Sequence, residues 1–128
     1  MIPVRLLIAD DHPAARQSLL RAVSGDAVDV VAVLADGTSA LSAARALRPD
    51  VALLDLRMPG LSGSQVAAAL RREGSPTLVI ILSAFDEPSL KESALHAGAI
   101  AFLSKEATAG EIAELVARCG AQGRAATG

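Results

Sequence analysis

The sequence predicts an α/β domain: a doubly wound parallel sheet of five strands with helices on both faces. Apolar runs typical of buried strands alternate five times with amphipathic patterns typical of helices. Most of the runs are apolar throughout rather than at every second position, which favours strands that are covered on both faces. Polar residues able to carry chemistry follow several of these runs, at the strand ends where open parallel sheets bind their ligands.

The strands are predicted from apolar runs bounded by turn residues. The predicted strands are residues 4–9, 28–34, 51–55, 78–82 and 100–103. Asp29 interrupts the second run, which indicates an edge strand with one side near water. This edge strand and the three very apolar strands favour the order 2-1-3-4-5, the flavodoxin-like arrangement, with right-handed crossovers.

The first two helices are predicted from residues that start or stop helical structure. Pro13 is suited to open the first helix, and Gly25 lies where its apolar stripe ends. Gly37 and Thr38 are predicted to form the loop and cap before the second helix, which Pro49 closes.

The last three helices have their own start signals. Ser62 or Ser64 can cap the third helix, and Pro88 follows a turn that starts the fourth. Thr108 with Glu111 three residues later forms the capping-box pattern of the fifth helix.

Composition predicts one globular domain over residues 1–119. Of the 128 residues, 52% are hydrophobic and 20% are charged, which excludes a disordered chain. Residues 120–128 contain three glycines and no apolar stripe, so we expect a linker or a C-terminal tail there.

Charge and hydropathy restrict the partners and the compartment. A net charge of −2 and a pI of about 5.6 leave no basic stripe, so we expect no direct nucleic-acid binding by this domain. No apolar run approaches the length of a membrane span, and Cys119 is the single cysteine, on an apolar helical stripe where an inert packing role is expected. A cytoplasmic protein without a disulfide is the simplest interpretation.

Five polar residues at the strand ends form the candidate site. Asp10 and Asp11 follow the first strand, Asp55 ends the third, and Ser83 and Lys105 follow the fourth and fifth. Neighbouring first and third strands would crowd three carboxylates into one crevice, where a divalent ion relieves their repulsion. Oxygen ligands alone favour Mg²⁺, so carboxylates, metal, ammonium and hydroxyl together predict phosphoryl transfer.

The chain resembles the response-regulator receiver domains of two-component signalling over residues 4 to about 119. The resemblance is carried by five motifs: IADDHP at 8–13, LDLRMPG at 54–60, LSA at 82–84, AGA at 97–99 and FLSK at 102–105. It implies that Asp55 accepts a phosphoryl group from a phosphohistidine of a sensor histidine kinase. It further implies a Mg²⁺ site made by Asp10, Asp11, Asp55 and the backbone carbonyl of Arg57.

The same resemblance assigns the remaining site residues. Ser83 and Phe102 would be the switch pair that reports phosphorylation, and Lys105 is the lysine of the family pattern. Two positions depart from that pattern: Glu106 stands where many members have proline, and the switch aromatic is Phe102 rather than tyrosine. Neither departure involves the phosphoacceptor.

The resemblance also implies partners and an output. The domain would be a phosphoacceptor that assists its own phosphorylation and dephosphorylation rather than an enzyme with a separate substrate. The DDHP sequence is most similar to regulators with a LuxR-type helix-turn-helix, so we expect a C-terminal DNA-binding domain outside this chain and a role in transcription. A homodimer formed on phosphorylation is a further expectation.

Other function classes fit the residues less well. A flavin or nucleotide carrier would need a glycine- or hydroxyl-rich phosphate loop and stacking aromatics, and an aspartate-nucleophile phosphatase would carry an acid where Arg57 stands. The remaining alternative is an interaction module that keeps the receiver fold but signals without phosphate. His12 and His96 are interpreted as an exposed loop residue and a helix C-terminal residue rather than as phosphotransfer groups.

Overall fold

The computed structural model describes residues 2–85 and 87–127, with side chains described as far as Gly123. Five strands alternate with five helices along the chain, as the sequence predicts. They are β1 (Val4–Ala9), α1 (Pro13–Ala22), β2 (Val28–Leu34), α2 (Gly37–Leu47), β3 (Val51–Asp55), α3 (Gly63–Arg72), β4 (Leu78–Ser83), α4 (Pro88–Ala97), β5 (Ala101–Ser104) and α5 (Ala109–Thr127).

The strands form one parallel sheet in the order β2-β1-β3-β4-β5, which confirms the predicted fold class and topology. The reversal of strand order between β1 and β3 is the position where doubly wound sheets open a crevice at the carboxyl ends of the strands. In β3, Asp55 is level with Leu82 of β4, so Ser83 lies one residue beyond it. The sheet therefore delivers its polar strand ends to one edge.

Two hydrophobic cores lie on the two faces of the sheet. Side chains of α2, α3 and α4 pack on one face, and those of α1 and α5 pack on the other. The central strand β3 is buried at every position. Cys119 is 3% exposed and belongs to the α1/α5 core, in agreement with a packing role. No helix among the described residues combines the length and apolar character that crossing a membrane requires.

The helix starts agree with the sequence except at α2. Ser62, rather than Ser64, caps α3 and forms a reciprocal capping box with Gln65. Helix α2 is capped by Asp36, whose Oδ1 accepts from the amide of Ser39 at 2.7 Å. The prediction of a Gly37–Thr38 cap was therefore wrong, because a carboxylate one residue earlier reaches the free amides and those two residues are already helical.

The segment after residue 119 is helical as far as Thr127. Its alanines are strong helix formers, and its glycine at position 120 serves packing, since a Cβ there would lie 2.4 Å from Cγ2 of Val4. A linker or C-terminal tail over residues 120–128 stays a prediction, with Gly128 outside the described residues. The placement of the domain boundary at residue 119 stays a prediction.

Candidate functional site

Three carboxylates meet where β1 and β3 end. Ala9 of β1 is level with Leu54 of β3, so Asp10 and Asp55 leave adjacent strands side by side. Oxygens of Asp10, Asp11 and Asp55 and a ring nitrogen of His12 all lie within 4.8 Å of one another. Asp10 is fully buried and Asp55 is 5% exposed. The structure therefore brings together the acids that the sequence singled out.

Lys105 joins two of these acids. Its Nζ lies 2.7 Å from Oδ2 of Asp10 and 3.2 Å from Oδ2 of Asp55. Its backbone is fixed as well, because the amide of Lys105 donates to the carbonyl of Ser83 at 2.9 Å. Burial opposes the charged amine, but the hydrogen bond to Asp10 and the charge of Asp55 outweigh it and raise the pKa of Lys105. The ammonium is therefore held in its charged form between the two carboxylates.

The surroundings of Asp55 disfavour its charged form. Burial is the main factor that raises the pKa of Asp55, and the charge of Asp10 adds to it. Lys105 acts in the opposite direction but does not cancel these effects. An ionised Asp55 therefore gains from any additional cation placed in the crevice.

Asp10 is positioned by two residues that the sequence analysis did not assign to the site. The amide of His12 donates to Oδ1 of Asp10 at 2.9 Å, and Nη1 of Arg16 donates to its backbone carbonyl at 2.8 Å. Arg16 lies in the first turn of α1, and side chains of a helix point back toward its N-terminus. That direction is the signal that could have linked Arg16 to the Asp10 loop.

The donor set fits a hard divalent cation. Oδ1 of Asp11 is shielded from solvent and accepts no hydrogen bond from the described residues, although Nδ1 of His12 lies 3.0 Å away. A shielded carboxylate oxygen without a donor is costly unless a cation neutralises it. Oxygen ligands from Asp10, Asp11 and Asp55 suit Mg²⁺ better than a soft metal.

Ser83 and Phe102 occupy the positions expected for them. Ser83 ends β4 and is 2% exposed, and its Oγ accepts a hydrogen bond from the amide of Phe85 at 3.0 Å. Phe102 lies on the edge strand β5, partly buried against the α2/α3/α4 core. Their role as a switch pair stays a prediction.

One contact beside the site was not predicted. The guanidinium carbon of Arg57 lies 4.6 Å from the centroid of the exposed Phe85 ring. Neither the side chain of Arg57 nor Phe85 was among the predicted site groups, which included only the backbone carbonyl of Arg57. An aromatic in the loop after a site-bearing strand was the available signal.

Comparison with known proteins places the whole architecture in one family. The family model described as "Response regulator receiver domain" matches residues 6–117. The NarL transcriptional regulatory protein of Mycobacterium tuberculosis is 48% identical over 122 residues, which cover 94% of this chain and 56% of that protein. The nitrate/nitrite response regulator NarP of Escherichia coli is 38% identical over the same shares of the two chains.

Solved structures agree with these sequence relatives. The signal receiver domain of the NarL response regulator from M. tuberculosis superposes with a TM-score of 0.92 at 46% identity, covering 94% of this chain and 98% of that one. The chain spans only about half the length of the curated relatives that it matches. The motifs, the sheet order, the acid cluster and these matches together show that the chain belongs to the response-regulator receiver domains of two-component signalling, with NarL-type regulators of the LuxR family among its relatives.

Proposed function

We propose that this receiver domain is a phosphorylation-dependent switch in which Asp55 accepts a phosphoryl group from the phosphohistidine of a sensor histidine kinase. The observation that carries the proposal is the sharing of one ammonium, that of Lys105, by two buried carboxylates beside a third. Such an excess of negative charge is unfavourable in a resting protein. It is the arrangement expected where a cation and a phosphoryl group are to be bound together.

The protein residues divide the work of transfer. An oxygen of Asp55 attacks the phosphorus, the P–N bond breaks, and its electron pair leaves with the histidine imidazole of the kinase. Lys105, already 3.2 Å from Oδ2 of Asp55, pairs with the oxygens of the arriving phosphoryl group. Asp10, held by His12 and Arg16, keeps Lys105 directed into the crevice.

Mg²⁺ would be held by Asp10, Asp11, Asp55 and the carbonyl of Arg57. When bound, the ion neutralises the carboxylates and polarises the phosphoryl oxygens. The unsatisfied Oδ1 of Asp11 supports this assignment from the protein side. The chain supplies the remaining requirement, which is a pocket that keeps the nucleophile largely away from water.

In the proposed switch, Ser83 would move first and Phe102 would then rotate. The Ser83 hydroxyl can donate to a phosphoryl oxygen on Asp55, and its movement would free space behind β4. Phe102, partly buried on the neighbouring strand, could then rotate inward and bury further apolar area worth on the order of 1–2 kcal/mol. A bias of that size shifts a two-state equilibrium by roughly 5- to 30-fold, enough to change the α4/β5/α5 surface.

The output is proposed from the relatives. NarL is described as a transcriptional regulatory protein and spans nearly twice the length matched here. We therefore propose a C-terminal DNA-binding output domain beyond this chain, a homodimer formed on phosphorylation, and a role in transcription in the cytoplasm. The domain itself would assist its own phosphorylation and dephosphorylation without acting as a separate enzyme.

The assignment of Asp55 is tested by intact-mass analysis after incubation with a small acyl phosphate or phosphoramidate and Mg²⁺. One phosphoryl adduct is expected on the parent protein, and none on Asp55→Asn or on the parent treated with a chelator. Asp29→Asn, which removes an exposed acid from the edge strand β2, is the matched control and should be labelled like the parent. Labelling of Asp55→Asn at the parent's stoichiometry would refute the assignment, and a parent that never takes the label would favour the phosphate-independent interaction module.

A further inference from the structure

The stacked pair Arg57 and Phe85 connects the two loops that flank the candidate phosphoacceptor. Arg57 lies in the loop after β3, two residues beyond Asp55, and Phe85 lies in the loop after β4, two residues beyond Ser83. The guanidinium carbon is 4.6 Å from the ring centroid, within the range of a cation–π interaction. Because β3 and β4 are hydrogen-bonded neighbours, the pair bridges adjacent strand ends.

The pair is also tied to the buried hydroxyl. The amide of Phe85 donates to Oγ of Ser83 at 3.0 Å, so the residue that holds the guanidinium also holds the serine. Ser83 is 2% exposed and has little freedom to move without its loop. Its Oγ can donate its own proton while it still accepts from Phe85, so a displaced hydroxyl draws the Phe85 backbone with it.

The exposure of Phe85 calls for a physical reason. The chain has only two phenylalanines, and Phe85 is 47% exposed in a loop rather than packed in either core. A half-exposed ring gains little from hydrophobic burial, whereas a guanidinium stacked on its face stabilises one loop position.

We propose that Arg57 and Phe85 form a latch that stabilises the resting position of Ser83 and so opposes the switch. The proposal rests on the function assigned to Asp55 and Ser83 above. In the resting protein the stack fixes the loop after β4, and the Phe85 amide fixes Oγ of Ser83. When Ser83 moves toward a phosphoryl group, the loop follows and the stack is lost. The latch thus sets how readily phosphate is converted into a change of shape.

The size of the effect follows from the exposure of the pair. An exposed cation–π contact that forms only in the resting state favours that state by roughly 0.5–1 kcal/mol. A ligand that needs the other state therefore binds about two- to fivefold more weakly. Without the latch, a ligand that draws Ser83 toward Asp55 should bind more tightly by that factor.

The test is a double-mutant cycle read out by titration with beryllofluoride, a phosphoryl mimic, in saturating Mg²⁺. Phe85→Leu keeps an apolar side chain but removes the ring face, and it should lower the Kd of the mimic by about two- to fivefold. In the Arg57→Gln background the same Phe85→Leu change should have no effect, whatever Arg57→Gln does to the Kd through charge alone. Phe85→Tyr keeps the ring face and should behave like the parent.

Two results would overturn the latch: an unchanged or weaker affinity in Phe85→Leu, or the same shift in both backgrounds. The melting temperature of Phe85→Leu should fall by no more than a few degrees, in line with the loss of one exposed cation–π contact. A ring-current shift on Arg57 Nε–H that disappears in Phe85→Leu reports the stack independently of the mimic. If the parent binds no mimic, the proposed function fails, whereas a parent that binds it without the predicted cycle loses only the latch.

Discussion

The two edges of the sheet differ in how well their polar groups are paired. At the amino-terminal edge, the amide of Arg5 donates to Oδ2 of Asp50 at 2.8 Å, and its Nη1 donates to the carbonyls of Leu47 and Arg48. The hydroxyl of Thr77 donates to the carbonyl of Pro49 at 2.7 Å. These hydrogen bonds join the starts of strands to the end of α2 and the turn after it. The polar groups named here therefore all have hydrogen-bond partners.

The carboxyl-terminal edge of the sheet, here termed the acid edge, carries an excess of negative charge. Lys105 is shared by Asp10 and Asp55, and Oδ1 of Asp11 accepts no hydrogen bond from the described residues. Burial and Asp10 raise the pKa of Asp55, which marks its ionised form as unfavourable there. One edge thus supplies stability, while the other retains an electrostatic cost that ligands can relieve.

The largest expected effect comes from removing the one ammonium at the acid edge. Lys105→Ala should destabilise the protein by about 2–3 kcal/mol near neutral pH, somewhat less than a fully buried pair because Lys105 is partly exposed. Without the ammonium, nothing offsets the burial of Asp55 and the charge of Asp10, which raise the pKa of Asp55, so its protonation relieves more repulsion. The loss should therefore shrink as the pH falls to about 5, which denaturant unfolding at both pH values would measure.

Arg45→Ala is the matched control for that experiment. Arg45 of α2 forms a bidentate salt bridge with Glu73 at the end of α3, but both side chains are exposed. Exposed pairs contribute little to stability because water and salt screen them. A loss in Arg45→Ala as large as in Lys105→Ala would erase the distinction between the acid edge and the rest of the surface.

A smaller effect is expected from supplying a cation. Mg²⁺ at about ten times its Kd should stabilise the native state by about 1.4 kcal/mol, because the unfolded chain has no assembled site. Asp11→Asn should reduce this increment, since it removes both a ligand and a source of repulsion. With no Trp or Tyr in the chain, circular dichroism or calorimetry is the suitable measurement. An undiminished increment in Asp11→Asn would place the ion elsewhere.

The sequence predicted the acid edge because the carboxyl ends of neighbouring parallel strands lie at the same edge of the sheet. Once residues 4–9 and 51–55 are identified as neighbouring parallel strands, Asp10 and Asp55 must lie together, and the structure places them so. Hydrophobic runs indicate both the strand bounds and the strand order. Because each run spans several residues, misjudging one residue does not change the predicted strand. This is why β1, β2 and β3 have the predicted bounds.

The parts that were missed depend on single side chains and on close packing. Asp36 caps α2 because its carboxylate reaches the amide of Ser39, a competition with Gly37 and Thr38 that the pattern leaves open. The packing of Gly120 against Val4 was missed as well, because this close approach depends on how α5 lies on the sheet. Likewise, Arg57 and Phe85 meet only because β3 and β4 are adjacent.

The smallest effect, and the sharpest test of the comparison, is the stability of Asp55→Asn without Mg²⁺. The folded state raises the pKa of Asp55, so over the window above its unfolded pKa the folded chain binds the proton more tightly, and stability falls as the pH rises. Replacing the carboxylate by a neutral amide should remove that cost at neutral pH and raise Tm, by about 3–6 °C for each kcal/mol gained. The gain should vanish at low pH, where Asp55 is protonated in both states and carries no charge to relieve. Melting curves at neutral and acidic pH measure this directly. If Asp55→Asn is destabilised at neutral pH, the pairing with Lys105 outweighs burial, and the acid edge is then no more costly to the fold than the amino-terminal edge.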